Sequence, residues 1–205
     1  MTHAIVNELS PPYRPVAPNE ELTIIFCGVG RSQSGHGFGL IVFPSASPNN
    51  PLCEYSYVSP KFQTTFQRGD WGALISSLEW REKYAQGRPL TIKSSLEQVY
   101  GHFPTQGQKW CDTYKKKGEW NIKNGDLFEK AWNLWHQTNP KAVIERVTTK
   151  TDKDIQEAAK DLGRAIWHDK LATAGWKPGD PIEDMQDYPE ASEQLAKRAY
   201  DRDRT

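Results

Sequence analysis

The chain has no excess charge of either sign: 26 Lys and Arg are balanced by 26 Asp and Glu over 205 residues. That balance removes the global positive field common among strong nucleic-acid binders, so any such contact must come from a local patch. Cysteine is scarce, and Cys27, Cys53 and Cys111 are odd in number, far apart and in no metal-like spacing. They suggest neither a disulfide framework nor a zinc site, and a reducing compartment fits best. Long apolar runs are missing as well. No stretch reaches the ~18 residues a membrane span needs, and the opening residues carry no apolar signal core and no Arg-rich amphipathic leader. The expectation is a soluble intracellular protein, cytoplasmic or nuclear, with no membrane partner.

What is present reads as one sizeable α/β domain with extensions. Four prolines and few apolar groups in residues 1–20 predict an extended arm outside the core. Leu22–Cys27 and Phe38–Phe43 are apolar, β-branched or aromatic runs joined by the glycine-rich GVGRSQSGHG, the pattern of an antiparallel hairpin. A third strand is expected around Glu54–Ser59, a fourth at Leu90–Lys93 and a fifth at Ala142–Val147. Trp71, Leu74, Ile75 and Leu78 recur at helical spacing within Asp70–Tyr84. Further helices are expected at Leu96–Tyr100, Gln106–Lys117 and Leu127–Gln137, the last with Phe128, Trp132 and Trp135 as a core stripe. A final helix opens at Thr151-Asp-Lys-Asp154 with a capping-box-like pattern and buries Ile155, Ala158, Leu162 and Ile166. The expected boundaries are an arm at 1–20, a domain at 21–167 and a C-terminal extension at 168–205.

This order and four local phrases resemble ribonuclease H of type I. The glycine-rich first hairpin is similar to GVGRSQSGHGFGLIV, and the Thr-Asn-Asn-Arg-x-Glu-Leu phrase is similar to Thr65-Phe-Gln-Arg-Gly-Asp-Trp71. The phrase of the basic protrusion and its sequel looks like Tyr114-Lys-Lys-Lys-Gly-Glu-Trp120 followed by Ile122-Lys-Asn-Gly-Asp-Leu127, and the closing phrase is similar to Lys160-Asp-Leu-Gly-Arg-Ala165. The resemblance covers about Leu22 to Trp167. It implies a five-stranded mixed sheet, with its first three strands antiparallel, flanked by helices, and an activity that hydrolyses the RNA strand of an RNA/DNA hybrid through two Mg²⁺ ions held by four carboxylates.

Carried over position by position, most of those carboxylates are gone. The first-strand aspartate falls on Cys27, the helix glutamate on Asp70, the fourth-strand aspartate on Ser95 or Ser94, and the last-helix aspartate on Lys160; the loop histidine falls near Lys150. A thiol is a poor ligand for a hard ion, and a lysine puts a cation where a metal would sit. The resemblance therefore implies a degenerate site with no metal and no cofactor, and an Asp70–Lys160 contact in the metal's place. Cys27 itself reads as a small buried hydrophobe rather than a nucleophile. Glu97, Glu157 and Asp161 are the carboxylates that a rearranged site would recruit, against their ordinary reading as solvated helix charge.

The one clear basic cluster is Lys109, Lys115, Lys116, Lys117 and Lys123, with Trp110 and Trp120 among them and Asp112 and Glu119 opposing. Several lysines beside aromatic rings suit phosphate neutralisation and stacking; an exposed charged helix is the alternative. Gln67 and Arg68 would lie beside the degenerate site and touch a sugar-phosphate backbone or cap the helix. The leading expectation is a binding module for RNA/DNA hybrid or double-stranded RNA. Its rivals are a protein-interaction scaffold that uses the C-terminal extension and the Pro-rich arm, and an active hybrid ribonuclease that uses Mg²⁺ through rearranged ligands.

Overall fold

The computed structural model describes residues 9–30, 36–58, 67–120 and 122–173, with backbone alone for 167–173. The rest of the expected arm (1–8), part of the first hairpin loop (31–35), Ser59 and the chain after Thr173 lie outside the described residues. Five strands form one mixed sheet: β1 (Leu22–Gly30), β2 (His36–Pro44), β3 (Cys53–Val58), β4 (Leu90–Ser94) and β5 (Val143–Arg146), in the order β3-β2-β1-β4-β5. The first three pair antiparallel, while β4 joins β1 and β5 joins β4 in parallel, which is the sheet the sequence led us to expect.

The central strands are apolar throughout because helices cover both faces. Side chains alternate across a strand. Ile24, Phe26, Leu40 and Val42 thus join one core with α1 (Gln67–Tyr84) and α3 (Gly125–Gln137). Ile25, Ile41 and Phe43 join a smaller core with Ala159 of α4 (Lys150–Thr173). Gly39 and Gly163 allow α4 to approach β2 backbone to backbone: a Cβ at Gly39 would collide with the Ala159 carbonyl, and one at Gly163 would lie 2.8 Å from the Gly39 nitrogen.

The α1 side is sealed by aromatic rings. Phe128 meets Trp71, Phe103, Trp110, Trp120 and Trp132 at centroid distances from 5.2 to 6.0 Å. Trp135 is buried and donates its indole N–H to the Ala142 carbonyl at 2.7 Å, so the expected tryptophan stripe is core.

Four local expectations change. The described part of the arm packs on the domain instead of standing off it: Leu9 is buried, its carbonyl accepts from the Tyr84 hydroxyl at 2.6 Å, and the Ser10 carbonyl accepts from the Trp80 indole at 3.0 Å. The short helix expected at Leu96–Tyr100 is a π-helical turn, Gln98–His102, running straight into α2 (Phe103–Lys117). The last helix starts earlier, because the reciprocal cap is made by Thr149 and Asp152: the Asp152 N–H donates to the Thr149 hydroxyl at 3.0 Å, and the Thr149 N–H to the Asp152 carboxylate at 3.4 Å. Along α4 it is Ala159 that is buried and Ala158 that is exposed.

Candidate functional site at the junction of β1 and β4

The parallel pairing of β1 with β4 ends at Ile25 and Lys93, while β1 runs on to Gly30 beside β2. Beyond that point the backbone groups of β1 that face β4 have no strand to bond to, and buried backbone groups must find partners elsewhere. Side chains supply them, among them the Cys27 thiol, which donates to the Gly28 carbonyl at 3.4 Å. The Gly28 N–H donates to Asp70 Oδ1 of α1 at 2.9 Å, and the Phe26 carbonyl accepts from Gln156 Nε2 of α4 at 3.3 Å. The same Gln156 amide donates to Ser95 Oγ, just past β4, at 2.9 Å.

Three of the four expected positions, Cys27, Asp70 and Ser95, therefore gather at this junction. Ser94, the other fourth-strand candidate, is fully buried, and its hydroxyl accepts the Leu96 N–H at 3.1 Å, turning the chain after β4. Asp70 is 8% exposed, and burial pushes its carboxyl up to about 6 against the opposing pull of the Gly28 N–H. Glycine is needed at 28 because a Cβ there would lie 2.7 Å from the Asp70 backbone nitrogen and from Oδ2. The Cys27 thiol is pushed up to about 12, first by burial and next by the Asp70 charge, with Lys160 opposing. It is protonated at neutral pH, and as a thiol it is a weak nucleophile.

The expected Asp70–Lys160 contact does not form. Asp70 approaches β1 from the α1 face, at Gly28, whereas Lys160 sits on α4, across the sheet. Its ammonium is taken by Glu157, one helical turn away, with both carboxylate oxygens at 2.9 Å. Glu157 also lies 3.6 Å from Arg164, as does Asp161, and Glu97 is exposed, so these three carboxylates behave as solvated helix charge. The last-helix side chain that reaches the junction is Gln156, which sequence reasoning missed; a neutral amide has no charge or spacing pattern to mark it.

Two divalent cations of the implied kind require several carboxylate oxygens. The junction offers one carboxylate already engaged by Gly28, a protonated thiol, a hydroxyl and an amide. No group of three His, Cys, Asp or Glu able to hold a metal exists among the described residues. The residues present do not fit a two-metal centre.

The second candidate surface is α2 and the turn after it. Lys109, Lys115, Lys116, Lys117 and Lys123 are all exposed. Gly118, in the left-handed conformation, caps α2 by donating its N–H to the Tyr114 carbonyl at 2.8 Å, and the three consecutive lysines complement the helix's negative end. The two tryptophans are not free platforms. Trp110 is half-buried with its ring 5.2 Å from Phe128. Trp120 stacks on Tyr114 at 4.3 Å and packs against Gly125 and Phe128. Gln67 is half-buried at the first position of α1. Arg68 is engaged rather than free, in a two-point pair with Asp126 at 3.0 and 2.6 Å and a hydrogen bond to Asn124 at 3.2 Å.

No protein-family model and no curated protein matches the chain. Among solved structures it is similar to the solution structure of the PFV RNase H domain, at 14% identity, 71% of this chain, 93% of that one and a TM-score of 0.56. It is also similar to LC9-RNase H1, described as a type 1 RNase H with the type 2 active-site motif, at 12% identity, 75% of this chain, 74% of that one and a TM-score of 0.57. A third is the foamy viral protease-reverse transcriptase in complex with RNA/DNA hybrid, at 11% identity, 78% of this chain, 22% of that one and a TM-score of 0.59. With the strand order and helix placement above, these likenesses show that the chain has the ribonuclease H-like fold.

Proposed function

We propose that this protein is a ribonuclease H-like domain that binds nucleic acid, RNA/DNA hybrid or double-stranded RNA, through the lysines of α2 and does not hydrolyse it. The observation that carries the binding reading is the exposed set Lys109, Lys115, Lys116, Lys117 and Lys123, concentrated within α2 and the turn after it in a chain whose net charge is zero. Lys109 and Lys116, seven residues apart, fall on one helix face. Such a set attracts phosphates and releases counterions on contact. The foamy viral protein of related fold, held in complex with RNA/DNA hybrid, supports the choice of ligand. Because Trp110 and Trp120 are packed into the domain, contact through the backbone phosphates is favoured over base stacking, and binding is insensitive to sequence.

The donor set at the β1–β4 junction supports the loss of hydrolysis. The test is one incubation of labelled RNA/DNA hybrid with the protein at low salt, in Mg²⁺ or Mn²⁺, read for both retention and cleavage. Retention without cleavage is the expected result. Cleavage that disappears in Asp70→Asn would replace the proposal with a rearranged active site, and no retention of hybrid, duplex RNA or single strands would remove the binding reading.

A further inference from the structure

We infer that Gln156 is a neutral clamp that closes the junction where β1 parts from β4, so that this junction holds its geometry without a divalent cation and takes none up. The strands separate after Ile25 and Lys93, and what spans the gap is the Gln156 amide, bound to the Phe26 carbonyl on one side and to Ser95 Oγ on the other. Asp70 completes the closure from the opposite helix by accepting the Gly28 N–H. The bonds to the Phe26 carbonyl and the Gly28 N–H satisfy groups that the split pairing leaves open, and the bond to Ser95 ties them to the end of β4, so together they do structurally what a bridging cation does between strand tips. An amide serves here where a carboxylate would not. The Phe26 carbonyl is itself an acceptor and needs a donor facing it, and a second negative charge would meet the buried Asp70 carboxyl. Lys160, a positive group of α4 whose charge acts on Cys27, is held by Glu157.

The clamp can be read without nucleic acid, so its failure is separate from failure of the binding reading. Cys27 lies at the junction, half-buried, and Cys53 lies fully buried elsewhere, so alkylation of the three thiols in the full-length protein, followed by mass spectrometry that reads Cys27 and Cys53 separately from Cys111, distinguishes local opening from unfolding. Gln156→Ala removes both bonds and is expected to speed Cys27 labelling at least about fivefold, the factor one hydrogen bond is worth, with Cys53 unchanged. Ser95→Ala removes the other end of the bridge from an exposed position and is expected to act in the same direction to a smaller extent. Wild-type labelling rates and Tm are expected to be the same in EDTA and in millimolar MgCl₂ or MnCl₂. The inference is overturned if both variants leave the Cys27 rate unchanged. It is equally overturned if either cation slows wild-type Cys27 labelling or raises the wild-type Tm, since a bound ion stabilises the folded state by mass action.

Discussion

Replacing Asp70 by Asn removes the one carboxylate at the junction and tests how it is held. Burial raises the Asp70 carboxyl from 3.8 to about 6, and at roughly 1.4 kcal/mol for each tenfold change in proton affinity, keeping it ionised in the fold costs about 3 kcal/mol. The folded protein binds this proton more tightly than the unfolded chain does. The stability tied to Asp70 is therefore fully present below about pH 4 and is lost as pH rises through about pH 6. Asn keeps an oxygen to accept the Gly28 N–H and carries no charge at any pH. The cost of about 3 kcal/mol already includes the carboxylate's bond to Gly28, so near neutral pH the variant is expected to be more stable by up to about 3 kcal/mol, a rise in Tm of about 6 to 12 °C for a chain of this size. Near pH 4 the two proteins are expected to coincide. Urea unfolding at both pH values measures the difference directly. A variant that is no more stable than wild type near neutral pH, or an advantage that is the same at both pH values, would refute the description of Asp70 as a buried, singly bonded carboxyl.

Other parts of the structure are open to the same treatment. Phe128→Ala empties the centre of the aromatic cluster on the α1 side, and chemical denaturation is expected to show a loss of about 3 to 5 kcal/mol. Gly39→Ala drives a methyl into the Ala159 carbonyl and must displace α4 from β2; a loss of about 1 to 3 kcal/mol is expected, with faster hydrogen exchange concentrated in α4. Arg68→Ala frees Asp126, whose carboxyl the Arg68 hydrogen bonds hold below its usual range. Its NMR titration is expected to move up toward the ordinary aspartate value. The stability this pair adds is present above that value and lost as pH falls through the depressed one, and because Asp126 is largely exposed it amounts to less than about 1 kcal/mol.

The sheet was legible in the sequence because strands covered on both faces must be apolar along most of their length, as Leu22–Phe26 and Phe38–Phe43 are. Local signals with two nearby solutions were not. Thr149 with Asp152 caps α4 as well on paper as Thr151 with Asp154 does, and the tertiary placement of the helix decides between them. The prolines of the arm indicated a poor helix and a poor strand, but not that the Leu9 and Ser10 carbonyls meet Tyr84 and Trp80, contacts separated by 75 and 70 residues. At the junction, Cys27, Asp70 and Ser95 were reached by carrying over the positions of the resembled family, and the carry-over held because β1, the start of α1 and the end of β4 are elements the sequence pattern locates. The Lys160 assignment failed because proximity to Asp70 depends on which face of β1 each helix covers, and Gln156 was missed because its role is to pair with backbone, which leaves no mark in residue type.

The central claim, that the α2 lysines bind nucleic-acid phosphates, is tested most directly by the salt dependence of hybrid retention. For the wild type, log K against log salt concentration is expected to fall with a slope of up to about −4.5, from about 0.9 per lysine over the five exposed lysines. In the Lys115→Ala, Lys116→Ala, Lys117→Ala triple variant the slope is expected to be shallower by about 2.7 and binding weaker at every salt concentration. A triple variant that binds hybrid with wild-type affinity and an unchanged slope would contradict the claim.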